Sequence, residues 1–243
     1  MKQPGLRATY MARFAGRCAI LALCIWAYIF RRDAFDIVHG WNFFRSFSPF
    51  HLLWGIWVVD MILQLIPTKG YFSLGSQKIF RIHFRPMLRK FSRSALKKYI
   101  CETTAAAYRV MLLWLALIAG IGALYFAGVI DAAALLLISV VFYVCDLICV
   151  LFWCPFRHWI MKNRCCTTCR IFNWDHLMMF SPLVFIDGVY PMSLFALSLV
   201  IWCIWEVCVL LYPERFWENS NQSLKCSECT DHLCAQYCRK LRS

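Results

Sequence analysis

Charge is scarce in this sequence, and acidic charge scarcer still. Asp, Glu, Lys and Arg make up 16% of the 243 residues, with 13 acidic against 26 basic side chains. Ordinary soluble domains carry roughly 25%. Glycine is sparse at 10 residues, and none sits in a glycine-rich phosphate loop. No Gly-x-Ser-x-Gly turn presents a nucleophilic serine. The histidines (His39, His51, His83, His158, His176 and His232) never fall in a metalloprotease spacing, and no two share a helix to bind haem. Motif-borne nucleotide hydrolysis, serine-hydrolase chemistry and zinc proteolysis are therefore not indicated.

What fills the chain instead is apolar. Hydrophobic residues make up 61% and the mean hydropathy is +0.59. Crossing a ~30 Å hydrocarbon core takes ~17–25 apolar residues in a helix. Residues 110–130 contain no charge, and 132–153 contain only Asp146. These runs predict an all-α polytopic membrane protein. The expected helices are 14–30, 50–66, 110–130, 132–153, 175–187 and 192–212, within a transmembrane domain of residues 1–213 followed by a cysteine-rich tail at 214–243. The first, flanked by basic residues but with no small-residue cleavage site after it, reads as a retained helix rather than a signal peptide. Arg17 is expected to snorkel to the inner surface. Ala119, Ala123 and Ala127, four apart on the third helix, form a small-residue ridge suited to close helix packing.

The net charge of +13 lacks a recognition helix or single-strand-binding pattern, so no nucleic acid is expected; anionic lipid headgroups are. Segments 1–17, 69–98, 157–170 and 213–243 carry four, nine, four and five basic residues, against three in 31–49 and none in the other two connections. The positive-inside rule puts the four rich segments in the cytoplasm. The chain must then cross an even number of times between 170 and 213, which predicts a short fifth helix. About six helices follow, arranged as three hairpins with both termini cytoplasmic, in a bacterial plasma membrane. Loop 69–98 is expected at the headgroup plane. Arg81, Arg85, Arg89 and Arg93 would share one face if helical, although Pro86 argues against an unbroken helix.

The three returning helices resemble one another. Trp57 precedes Asp60 and Pro67; Phe142 precedes Asp146 and Pro155; Trp202 precedes Glu206 and Pro213. At 1.5 Å per residue the acids lie about 10 Å from the inner helix ends. An intramembrane carboxylate costs on the order of 2.5–3.5 kcal/mol on insertion scales, so it faces a partner or a cavity. One reading is an ion or proton path through Asp60, Asp146 and Glu206, with Gln64. The other is acids protonated or paired with a buried group such as Arg109, orienting packing. Trp174-Asp175-His176 is a catalytic candidate, with an interfacial tryptophan among polar neighbours as the commoner meaning.

There are 15 cysteines. Cys18, Cys24, Cys145, Cys149, Cys154, Cys203 and Cys208 lie in or beside helices and read as small apolar fillers. Cys166-Thr-Thr-Cys169 and Cys226-Ser-Glu-Cys229 are Cys-x-x-Cys knuckles, and two such knuckles make a tetrahedral zinc site. They would tie the loop between helices four and five to the tail, with Cys165, Cys234, Cys238, His158 and His232 as further ligands. The tail spacing Cys-x2-Cys-x4-Cys-x3-Cys is near an iron–sulfur pattern but has a different middle gap and no proline. A thiol-redox relay would need an exposed, low-pKa cysteine beside a base. Structural zinc, thiol redox or iron–sulfur electron transfer, and unliganded thiols all remain readings of these residues. Zinc leads, in a protein whose cytoplasmic face meets lipid or a protein partner.

Overall fold

The computed structural model describes residues 6–45, 47–67, 77–87, 91–228 and 233. Its main helices are α1 (Leu6–Phe30), α2 (Phe50–Leu65), α3 (Arg93–Phe126), α4 (Ala132–Leu151), α5 (Asp175–Phe180) and α6 (Val189–Leu211). Four of them, α1, α3, α4 and α6, are long and apolar enough to cross a membrane. The 16 residues of α2 span about 24 Å. Large apolar side chains such as Leu112, Leu113, Leu124, Val200 and Leu210 are exposed along these helices, as lipid-facing surfaces require.

Helix ends follow local chemistry. Asp131 caps α4, its carboxylate accepting from the Ala134 N–H at 2.8 Å, which satisfies one unpaired donor of the first turn. Ile66 and Pro67 end α2 within a residue of the expected place. Two starts are earlier than hydropathy predicted: α1 begins at Leu6 and α3 at Arg93. Hydropathy measures what can enter lipid. Lys97, Lys98, Glu102 and Ala105 to Ala107 are good helix formers in any solvent, so the helix extends past its apolar part.

The fifth element departs most from expectation. Instead of one helix, the chain runs Phe172–Trp174 as a 3-10 turn, α5 as a short α-helix, and Ser181–Phe185 as another 3-10 segment. Pro182 has no N–H to continue the ladder. Ser181 instead turns its hydroxyl to the Met178 carbonyl at 2.8 Å and accepts from the Trp114 indole at 2.9 Å. The segment is almost wholly buried: Trp174, Met179, Phe180, Leu183 and Ile186 are all core residues.

A main apolar core joins α2, α4, α5 and α6 through Trp57, Met61, Leu135, Leu136, Phe180, Leu183 and Tyr190. The buried stripe of α3 is Ala107, Val110, Trp114, Ile118 and Gly122, with the Phe185 ring against Gly122 where a Cβ would stand. Ala119, Ala123 and Ala127 are exposed, so the small-residue ridge does not pack within the chain; Gly122, one register over, makes the close approach.

The connections meet in two groups. Gly40 donates to the Asp187 carbonyl at 2.9 Å and accepts from the Val189 N–H at 3.0 Å, while Arg32 pairs with Asp131 at 3.2 Å. Gly40 has φ of +52°, and a Cβ on Gly188 would strike the Val38 carbonyl oxygen. Residues 77–87 lie against the segment that follows α6. Gln222 N–H donates to the Arg85 carbonyl at 2.8 Å, Met87 N–H to the Ser220 carbonyl at 3.2 Å, and Ser223 hydroxyl to the His83 carbonyl at 2.6 Å. The stretch forms two 3-10 turns, Gln77–Ile79 and Arg81–His83, then an extended run with Pro86 bridged to Asn221. Arg81 and Arg85 therefore share no α-helical face. Arg89 lies outside the described residues.

Candidate functional site

Two polar clusters are embedded in this apolar frame. The first surrounds the intramembrane acids. Arg17 is only 3% exposed and sits three turns inside α1, where its guanidinium reaches Asp146 of α4 at 2.8 Å. It also donates to the Tyr143 carbonyl and lies 3.8 Å over the Tyr143 ring, one turn before Asp146. Tyr143 hydroxyl in turn donates to Asp60 of α2 at 3.4 Å. Arg17 thus does not reach out to solvent as the expected snorkelling required: its guanidinium is buried within the protein and a carboxylate holds it there.

One turn beyond Asp60, Gln64 donates to Asp175 at 2.9 Å and accepts from His176 Nδ1 at 3.0 Å. His176 Nδ1 also lies 3.3 Å from the Asp175 carboxylate, and both side chains are buried. Glu206 has separate partners: Arg170 at 2.6 Å and the Trp174 indole N–H at 2.8 Å. Trp174 is 1% exposed, so its indole is a donor buried within the protein. Asp60 and Asp146 are therefore linked through Tyr143 and Arg17, while Glu206 is matched by its own arginine. Arg109 is exposed; the arginines that reach the acids are Arg17 and Arg170.

The second cluster is made of thiols. Every described cysteine is outside any disulfide. Where α4 ends, Cys149 and Cys154 line the wall of one cavity together with Cys166 and Cys169. Pro155 then starts a π-helical turn, Phe156–Met161, whose Arg157 N–H points at Cys154 Sγ at 3.4 Å. The neighbouring Cys149 thiol, the backbone N–H groups of the turn and the buried Arg157 guanidinium outweigh burial and hold the Cys154 thiol down to about 7. Burial has the opposite effect next door, pushing the Cys166 thiol up and Cys169 up to about 11. Cys166 donates its S–H to the Cys149 carbonyl at 3.2 Å. A thiol with a lowered pKa beside a second thiol is the arrangement thiol–disulfide exchange requires.

Two cavities flank these cysteines. One, of about 380 Å³, is walled almost entirely by apolar side chains, with Asp146, Asp175, Arg157 and the cysteines 145, 149, 154, 166 and 169 among its lining. The other, of about 210 Å³, is mixed in polarity, and its lining includes Lys162, Arg164, Arg170, Glu218, Cys165, Cys169 and Cys226. The loop after α4 and the segment after α6 thus do meet, and Cys169 borders both cavities. Cys166 lines the apolar cavity, away from Cys226. Cys229, Cys234, Cys238 and His232 lie outside the described residues. His158 is exposed. Among the described residues no group of three or more His, Cys, Asp or Glu side chains is placed to hold a metal ion.

Sequence reasoning read Cys149 and Cys154 as helix filler and did not single out Arg157. Its available signal was local: a cysteine followed by proline and arginine at a helix end, with a second cysteine five residues earlier. Four helices suited to crossing a bilayer and a thiol cluster at the end of one of them describe a multi-pass membrane protein. No family model, curated protein or solved structure matches the chain.

Proposed function

We propose that this chain is a multi-pass membrane thiol oxidoreductase in which Cys154 is the reactive thiol and Cys149 its resolving partner. The observation that carries this reading is that Cys149 and Cys154 line one apolar cavity, with the Arg157 N–H aimed at Cys154 Sγ. In the full arrangement six crossings form three hairpins. The meeting of 77–87 with 220–224, and of Gly40 with Gly188, supports that alternation. By the positive-inside rule the cysteine-bearing face is cytoplasmic, and its basic residues meet anionic headgroups. Asp146 and Glu206, each matched by an arginine, serve packing rather than ion conduction.

The test is oxidation of detergent-purified protein with diamide, followed by mass-spectrometric disulfide mapping. A Cys149–Cys154 crosslink, abolished in Cys149→Ser, is expected. If Cys154 reacts with methyl methanethiosulfonate at pH 7 no faster than the exposed Cys101, the reading fails.

A second reading is the cysteine-ligated zinc clip, favoured by Cys165, Cys169 and Cys226 lining one cavity. It requires ligands from the tail beyond Glu228. Elemental analysis beside a Cys166→Ser, Cys229→Ser variant decides it: about one zinc per chain, lost in the variant, is its signature. Iron with sulfide would instead make the chain an electron carrier.

A further inference from the structure

Resting on the thiol-redox reading, we propose that the apolar cavity beside α4 binds a lipid-soluble quinone, which accepts the two electrons of the Cys149–Cys154 pair. The cavity, at about 380 Å³, falls at the lower end of the ~300–1,000 Å³ typical of small-molecule sites, and has their character: apolar walls with few polar groups. Trp114, Phe142, Trp153, Phe156 and Phe172 supply aromatic faces for a flat ring. Ile148 and Trp153, both in its lining, are 37% and 40% exposed, so the proposed ligand enters beside them from within the bilayer.

The lining chemistry narrows the occupant. A plain acyl chain would fit the walls, but it makes no use of thiols, two carboxylates and an arginine. A water-soluble disulfide would have to leave water for a nearly wholly apolar chamber, at the full cost of desolvating its polar groups. A quinone matches both halves: an apolar ring and tail, and two carbonyl oxygens that accept hydrogen bonds and then protons.

The step balances as follows. The Cys154 thiolate sulfur adds to a quinone ring carbon, and the Cys149 sulfur then attacks Cys154. The S–S bond forms as the S–C bond breaks, and that bond's electron pair passes into the ring. The Cys149 thiol proton and one proton from solvent finish on the two oxygens. The products are one disulfide and one hydroquinone. Asp175, also lining the cavity, is the carboxylate available to relay the second proton.

The experiment uses the full chain, reduced and freed of reductant, in lipid nanodiscs with decylubiquinone as the probe. Disulfide formation is followed by thiol trapping and mass spectrometry, with diamide oxidation in parallel. The expected result is a Cys149–Cys154 disulfide formed with one decylubiquinol per chain, at a rate that saturates with quinone. Ile148→Trp, at a part-exposed position in the lining, should slow thiol oxidation by the quinone at least tenfold while diamide still closes the disulfide. Diamide-formed disulfide without quinone-formed disulfide would overturn the acceptor proposal and leave the thiol reading standing. A quinone rate that neither saturates nor responds to Ile148→Trp would overturn it too, because oxidation would then be occurring outside the cavity. No disulfide with either oxidant would remove both.

Discussion

Replacing Arg17 by methionine leaves Asp146 without its cation. The methionine keeps most of the apolar stem, so the loss is chiefly electrostatic. Three contacts disappear: the 2.8 Å ion pair, the hydrogen bond to the Tyr143 carbonyl and the guanidinium stacked 3.8 Å over the Tyr143 ring. Breaking one side of a buried ion pair costs about 3–5 kcal/mol, because the other charge is left uncompensated. Arg17 is 3% exposed but Asp146 is 18% exposed and borders a cavity, so water or a proton can partly relieve it. The low end of the range follows, about 3 kcal/mol, or a little over a hundredfold in the folding equilibrium. Unfolding by sodium dodecyl sulfate in mixed micelles, followed by tryptophan fluorescence, measures it. The double variant Arg17→Met, Asp146→Leu tests the cause, since exchanging a whole buried ion pair for apolar side chains is often neutral or stabilising. It should recover most of the lost stability. A single variant within about 1 kcal/mol of the unaltered protein, or a double variant as unstable as the single, would refute the pairing as an energetic link between α1 and α4.

Alkylation of Cys154 should rise with pH through about 7, as the thiolate forms, while Cys169, pushed up to about 11, stays unreactive at that pH; a Cys154 midpoint near the ordinary ~8.5 would contradict the site geometry. Cys149→Ala removes the neighbouring thiol that lowers the Cys154 pKa and should move that midpoint upward, as read by stopped-flow labelling. Glu206→Ala should destabilise by about 3–5 kcal/mol because Arg170 is left buried and unpaired, whereas Trp174→Phe removes one hydrogen bond to the same carboxylate and should cost less; equal costs would show that Arg170 does not depend on Glu206. Gly188→Ala drives a Cβ into the Val38 carbonyl oxygen, and overpacking of that kind costs about 1–3 kcal/mol. Proteolysis at the 40–188 contact would report the opening, and a variant as resistant as the unaltered chain would deny that the contact is tight.

Much of the frame was readable along the chain. Apolar runs and end signals marked α2, α4 and α6 to within a few residues, because entry into lipid depends on summed hydropathy over one helix, and Asp131 and Pro67 act on their own neighbours. The ends of α1 and α3 were less readable. Their basic first turns look like loop by hydropathy, though lysine, arginine and glutamate form helix readily. The expected fifth helix, 175–187, passed over the break at Pro182 and the way Ser181 and Trp114 stabilise the broken segment in the core.

The sites were harder to see for a different reason. Asp60, Asp146 and Glu206 were recognisable as costly residues in apolar sequence, yet their partners lie far off: Arg17 is 129 residues from Asp146, and Gln64 is 111 from Asp175. Cys-x-x-Cys spacing drew attention to Cys166 and Cys169, while the neighbouring Cys149, Pro155 and Arg157 made Cys154 the distinctive thiol. The sequence by itself determined that apolar helices dominate the chain and where most of them stop, because those properties are sums over neighbouring residues. Which arginine neutralises which acid, and which cysteine has a lowered pKa, only the tertiary structure decided, because desolvation and short-range electrostatics depend on atoms brought together from distant parts of the chain.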